Sequence, residues 1–100
     1  MTIEKKQNGN ETTLLLTGRL DTTTAPQLET ELNEILGDVQ NLVMDFAKLE
    51  YISSAGLRVL LMAQKAIKKK DNAKMVIRHV NQAIHEVFEV TGFLDILSIE

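Results

Sequence analysis

Cysteine is absent from the 100 residues, which excludes disulfides and thiolate metal sites and fits a reducing compartment. Long apolar runs are absent too. The two longest, Leu14–Leu16 and Val59–Ala63, fall far short of the ~20 residues that a membrane span needs. The first eleven residues, MTIEKKQNGNE, lack an apolar segment of the kind found in secretory signals, so a cytoplasmic location is expected. Proline occurs once, as Pro26, and no repeat, low-complexity tract or linker interrupts the chain. A basic excess is also missing: the net charge of -3 argues against a nucleic-acid partner. The single cationic run, KAIKKK over Lys65–Lys70, falls where a helix ends, and lysines there oppose the helix dipole. What remains, 44% hydrophobic and 25% charged side chains, describes one soluble domain spanning residues 1–100 with a single core.

The segments TIEKKQ and TTLLLTG are β-prone and joined by Asn8-Gly9-Asn10, a tight-turn signal that predicts an opening hairpin. A first helix follows, with Thr24 as N-cap, Pro26 in the first turn, Gln27 at the capping-box position, and Leu28, Leu32, Ile35 and Leu36 along one face. Asn41–Phe46 is nearly all apolar, as expected of a central strand covered on both faces. A second helix is predicted from Ser54 to Lys70, then a strand within AKMVIRHV. A third helix is capped by Asn81 and ended by Gly92, with Ile84, Val87 and Phe88 as its buried stripe. LDILSIE reads as a terminal strand. The order β-β-α-β-α-β-α-β places the chain in the α/β class, with a mixed, mostly parallel sheet.

Chemistry concentrates at the start of the second helix, where Ser53 and Ser54 stand between strand and helix. Laid out at about 100° per residue, this helix turns Val59, Leu60, Ala63, Ala66 and Ile67 to the sheet, with Ala55 and Gly56 close by. The opposite stripe holds Ser54, Arg58, Lys65, Lys68 and Lys69, with Leu61 in its middle and Leu57 and Met62 at its margins. Apolar side chains beside a serine at a helix start suggest a contact patch for a partner. The serines can act as N-caps, and a phosphoryl group is also well placed there, because free backbone N–H groups and the dipole both favour a dianion. A nucleophile reading is weaker. The hydrolase elbow G-x-S-x-G has Ile52 where its first glycine belongs, and neither His79 nor His85 has an evident orienting carboxylate. No metal-binding histidine spacing is present, and no cofactor is implied.

GRLDTTTAPQL (18–28), LVMDFAKLEYISSAGLRVLL (42–61) and VFEVTGFLDIL (87–97), in that order and spacing, resemble the STAS domain of bacterial anti-sigma factor antagonists. The likeness covers essentially the whole chain. It implies a non-enzymatic partner-switching module: the unmodified form binds an anti-sigma factor that is also a serine kinase, phosphorylation ends the complex, and a serine phosphatase resets it. By position the phosphoacceptor is Ser54, with Ser53 as the alternative, because Ser53 stands where the family carries an aspartate and Ala55 where it carries serine or threonine. The implied partner face comprises Asp21, Ser53, Ser54, Gly56, Leu57, Arg58 and Leu61. Asp45, expected at the end of the central strand, matches a supporting acidic position. The simpler roles for the two acids are ordering a strand-to-helix turn and sitting at a strand end. A second function also fits: a STAS-type interaction or ligand-binding module of a stress scaffold or transporter assembly that is never phosphorylated.

Overall fold

In a computed structural model describing residues 1–100, the elements are β1 (Thr2–Asn8), β2 (Glu11–Leu20), α1 (Ala25–Ile35), β3 (Asn41–Ile52), α2 (Ser54–Lys68), β4 (Lys74–Arg78) and α3 (Gln82–Thr91). A 3-10 turn, Phe93–Asp95, follows α3. The strands form one sheet in the order β1-β2-β3-β4, antiparallel between β1 and β2 and parallel thereafter. This is the mixed, mostly parallel α/β arrangement expected from the alternation of strands and helices. The opening hairpin turns at Gly9, whose φ of 63° is open to glycine at little cost.

Period-two alternation assigns the two faces of the sheet. Leu14, Leu16, Met44, Phe46, Met75 and Ile77 are buried on one face, in a single cluster with Leu28 and Leu32 of α1, Leu60, Ala63 and Ile67 of α2, and Ile84 and Phe88 of α3. Helices therefore cover this face. The other face presents Glu11, Thr13 and Leu15 beside Asn41, Val43 and Asp45, then Lys74, Val76 and Arg78, and of these only Val43 is buried. Coverage of the central strand on both faces is thus corrected. The run Leu42–Met44 is uniformly apolar because Val43 lies between Thr13 and Val76 of the neighbouring strands, with no helix above it.

β3 outruns the predicted strand by six residues. Its register against β2 slips twice, between Leu15 and Thr17 and between Gly18 and Arg19, so extra β3 residues bulge out. Leu49, between the bulges, and Ile52, past the second, return to the core.

Cap chemistry fixes the helix ends. Asn81 Oδ1 accepts from the Ile84 N–H at 2.8 Å while its Nδ2 donates to the Leu49 carbonyl at 3.0 Å, so one side chain starts α3 and ties it to β3. Gly92 ends α3 in the left-handed conformation, as expected. Lys70 departs from its expected place among solvated lysines: its ammonium donates to the carbonyls of Leu36, Gly37 and Val39 at 2.9, 3.2 and 2.6 Å, closing the end of α1 from another element. The terminal strand is reduced to a parallel bridge between Ile77 and Ile99, held by Ile77 N–H to the Ser98 carbonyl and Glu100 N–H to the Ile77 carbonyl, each 2.9 Å. Phe93–Leu97 instead winds back against the core, with Leu97 buried and the Phe93 ring 6.5 Å from that of Phe88.

Candidate functional site

The Ser53 N–H donates to the Leu20 carbonyl at 2.9 Å, so the end of β2 and the start of α2 lie side by side. Residue 53 is extended, with φ -104° and ψ 176°, and is the N-cap by backbone, its carbonyl accepting from the Leu57 N–H at 3.0 Å. Its side chain does not cap. The Ser53 hydroxyl is buried and without a hydrogen-bond partner, while Ser54 is exposed at the first position of the helix. The structure thus separates the two hydroxyls: one faces inward and idle, the other outward. The first-turn N–H groups of α2 have no side-chain acceptor, the condition under which a helix start favours an anion.

Gly56 sets how closely α2 approaches the sheet. A Cβ placed there would lie 2.7 Å from Leu20 Cγ and 2.9 Å from Ile52 Cγ1, two buried side chains at the ends of β2 and β3. Gly56 belongs to this packing rather than to an exposed partner face.

Asp21 follows Leu20 directly and shares the rim with Ser54. Its Oδ1 accepts from the Thr23 N–H at 3.0 Å, the Thr23 hydroxyl at 2.8 Å and the Thr24 N–H at 3.2 Å. Its own N–H donates to the Thr24 hydroxyl at 2.8 Å, which in turn donates to the Arg19 carbonyl. Thr24 therefore spends its hydroxyl on the turn, not on α1, and the side-chain cap expected of it is not made. The bonds from Thr23, joined by those from Thr24, outweigh a smaller opposing effect of burial and hold the Asp21 carboxyl below its usual range. Asp21 thus orders the β2–α1 turn and remains an anion. Arg19 lies 3.7 Å from its carboxylate and 4.3 Å above the Tyr51 ring, a stack the sequence reading missed. The pairing of Arg19 with Tyr51 across the second bulge creates it, and no local pattern signals that bulge.

Asp45 does not join this rim. It lies in mid-β3 opposite Arg78, seven residues before Ile52, on the order of 20 Å along the strand. The expected position at the strand end is corrected, because β3 continues through its bulges. His79 Nδ1–H donates to Asp45 Oδ1 at 2.8 Å, so His79 has the orienting carboxylate that sequence alone did not reveal. Burial raises the Asp45 pKa, but the His79 bond, the Ala47 N–H and the nearby cations together hold it below the usual value. The pair lies on the helix-free face and far from Ser54, so it supplies no base for a serine nucleophile.

Along α2, Leu57 is corrected from contact patch to core: it is 7% exposed, as is Gln64 two turns on. α1 packs beside α2 and widens its buried arc beyond the stripe that a sheet alone would cover. Leu61 and Met62 are half-buried and Arg58 is exposed, as expected of an outer face. With Lys65, Ala66 and Lys69 they line a shallow depression of about 410 Å³. Ala66, assigned to the sheet side from helical spacing, belongs to its floor.

A chain with this topology, an uncapped second helix bearing an outward serine, and an acid-ordered turn beside it matches the family model described as "Mlab, STAS domain" over residues 3–98. It belongs to the STAS-domain family. Its relatives include the protein named "Putative anti-sigma factor antagonist BtrV" of Bordetella bronchiseptica, 36% identical over 85 residues, which cover 84% of this chain and 72% of that one. Among solved structures, an anti-sigma factor antagonist from Mycobacterium paratuberculosis superposes with a TM-score of 0.88 at 21% identity, covering 98% of this chain and 83% of that one. The Bacillus cell fate determinant SpoIIAA in its phosphorylated form superposes with a TM-score of 0.77 at 15% identity, covering 99% and 91%. At such identities these two likenesses speak for the fold. No helix is long and apolar enough to cross a membrane.

Proposed function

We propose that this domain is an anti-sigma factor antagonist that works by partner switching in the cytoplasm. The unmodified form binds an anti-sigma factor with serine kinase activity through the α2 start, the Asp21 turn and the outer face of α2. The Ser54 hydroxyl attacks the γ-phosphorus of ATP held by that kinase, ADP leaves, and the hydroxyl proton passes to a base of the kinase. Nearly two negative charges then stand on the docking face, where an approaching surface would have to desolvate them, and the complex parts. A serine phosphatase hydrolyses the ester and restores the binding form. Naming of the relatives as anti-sigma factor antagonists supports the role, and so does the phosphorylated state of a fold neighbour.

One observation carries the reading: Ser54 is exposed at a helix start whose N–H groups no side chain caps, whereas the neighbouring Ser53 hydroxyl is buried. Incubation of the purified protein with ATP and a cognate kinase, followed by intact-mass measurement, is expected to give one phosphoryl group on the wild type and none on Ser54→Ala. Modification that survives Ser54→Ala and vanishes in Ser53→Ala would move the acceptor. A wild type that no kinase modifies would favour an unphosphorylated STAS interaction module, the reading that Ser53 in place of the family aspartate supports.

A further inference from the structure

Three of the 11 lysines and arginines have an internal partner. Arg19 meets Asp21, Arg78 meets Glu100 at 2.7 Å, and Lys70 meets the carbonyls that follow α1. Arg58, Lys65 and Lys69 have none: no carboxylate of the chain forms an ion pair with them, and no carbonyl accepts from them. Acids are not scarce, since the chain carries 14 of them against 11 lysines and arginines. Other lysines without a partner are scattered along the chain, but these three converge on the depression on α2, whose remaining lining is Leu61, Met62 and Ala66, with no acidic residue. From Arg58 to Lys69 the face extends about 16 Å along the helix, three turns, with the apolar side chains between the charges.

Such a surface selects its occupant by chemistry. The apolar floor rewards burial of aliphatic side chains, and the cationic rim selects for carboxylates and repels lysine and arginine. Nucleic acid fits poorly, because no aromatic side chain lines the depression for base stacking. A bilayer fits poorly too, because Leu61, Met62 and Ala66 are half-buried in a depression rather than projecting from the helix. The geometry points to an acidic amphipathic helical segment of the partner protein, lying along α2 with its aliphatic side chains on Leu61, Met62 and Ala66 and its carboxylates on Arg58, Lys65 and Lys69. This inference rests on the reading of α2 as the partner face and names the chemistry of what docks there. It also gives the switch a local reader. Arg58 follows Ser54 by four residues, the spacing at which helix side chains pair, so a phosphoryl group on Ser54 draws Arg58 away from the partner and repels the partner's acidic end.

The test is an NMR titration of the full chain with a designed helical peptide that carries leucines on one face flanked by glutamates, alongside the same peptide with every glutamate replaced by lysine. The acidic peptide is expected to shift the backbone amides of residues 58–69 and the lysine peptide to shift none. Combining Arg58→Gln, Lys65→Gln and Lys69→Gln should weaken the acidic peptide about tenfold, as should raising the salt, whereas Lys68→Gln, outside the depression, should change it less than about twofold. Ser54→Asp should weaken it as well. Far-UV circular dichroism verifies that the triple variant remains folded. The inference is overturned if the lysine peptide binds as well as the acidic one, if the shifts map away from α2, if no shift appears, or if the protein instead sediments with phosphatidylserine vesicles in a manner the triple variant abolishes. Loss of Ser54 phosphorylation in the kinase assay leaves this titration untouched, and a failed titration leaves the phosphoryl mass untouched, so the two readings fail separately.

Discussion

Adding one methyl group at Gly56 tests whether close packing of α2 onto the strand ends positions the exposed serine. In Gly56→Ala the new Cβ would sit 2.7 Å from Leu20 Cγ, 2.9 Å from Ile52 Cγ1 and 3.0 Å from Leu20 Cδ2. Leu20 is fully buried and Ile52 nearly so, and the nearest atom is a branch point rather than a flexible tip, so the helix start must lift or both side chains must leave their rotamers. Overpacking of this kind costs about 1 to 3 kcal/mol. Alanine in a helix recovers up to ~1 kcal/mol over glycine, less in a first turn, so a net loss of about 1 to 2 kcal/mol is expected. For a domain of this size that lowers the melting temperature by roughly 5 to 15 °C, measurable by thermal unfolding followed by circular dichroism. In a Leu20→Ala background two of the three close contacts vanish, and the added cost of Gly56→Ala should fall to half or less. The rate at which a kinase modifies Ser54 should fall in Gly56→Ala, because the lifted turn carries the serine with it. A melting temperature equal to or above wild type would refute the reasoning, since it would mean that α2 has room at its first turn and that nothing pins the serine.

Ser53→Ala should be neutral or stabilising by up to ~1 kcal/mol in chemical denaturation, since it removes a buried hydroxyl without a partner; a loss of ~1 kcal/mol, the ordinary cost of deleting an N-cap, would show that the hydroxyl does cap α2. Lys70→Met should cost about 1.5 to 3 kcal/mol through the loss of three bonds to the carbonyls that follow α1, against less than ~0.5 for Lys69→Met, a contrast read from paired denaturation midpoints. Asp45 has a folded pKa below its unfolded value of about 3.9, so its contribution is complete above that value and is lost as pH falls through the folded pKa. Stability measured from pH 5 down to pH 2 should therefore decline less steeply in Asp45→Asn than in wild type. Leu57→Ala should cost about 2 to 4 kcal/mol and Leu61→Ala about half that or less, because only Leu57 is buried in the core cluster, and equal losses would show Leu61 to be core as well.

Legibility followed the range of the interaction. The ends of α3 were plain in the sequence because Asn81 and Gly92 act on backbone groups within a turn of themselves. The start of α2 was plain from residue types that favour a helix start, although the Ser53 side chain makes no cap there. Helix-wheel reasoning misplaced Leu57 and left Gln64 unnoticed because it supplied one neighbour, the sheet, whereas the second neighbour, α1, comes from a segment whose packing angle no local pattern encodes. Lys70 was invisible for a similar cause: its acceptors lie more than thirty residues back, and a lysine within a run of lysines carries no mark of being satisfied. The second half of β3 was missed because two bulges break the period of two on which strand recognition depends. The same bulges carried Asp45 away from the strand end and brought Arg19 over Tyr51.

The two hydroxyls show where local reasoning stops within the site itself. Adjacent serines at a strand-to-helix junction differ in sequence by one position, and either can cap a helix or take a phosphate. What distinguishes them is the bond from the Ser53 N–H to the Leu20 carbonyl, which continues the β2–β3 ladder one residue past Ile52 and holds residue 53 in an extended conformation. In that conformation its side chain turns into the domain, beside the first-turn approach that Gly56 permits, and the next residue turns out. The outward serine is therefore a product of sheet register and of one glycine, both tertiary in origin. A substitution that alters either one should change which hydroxyl a kinase can reach without touching a serine.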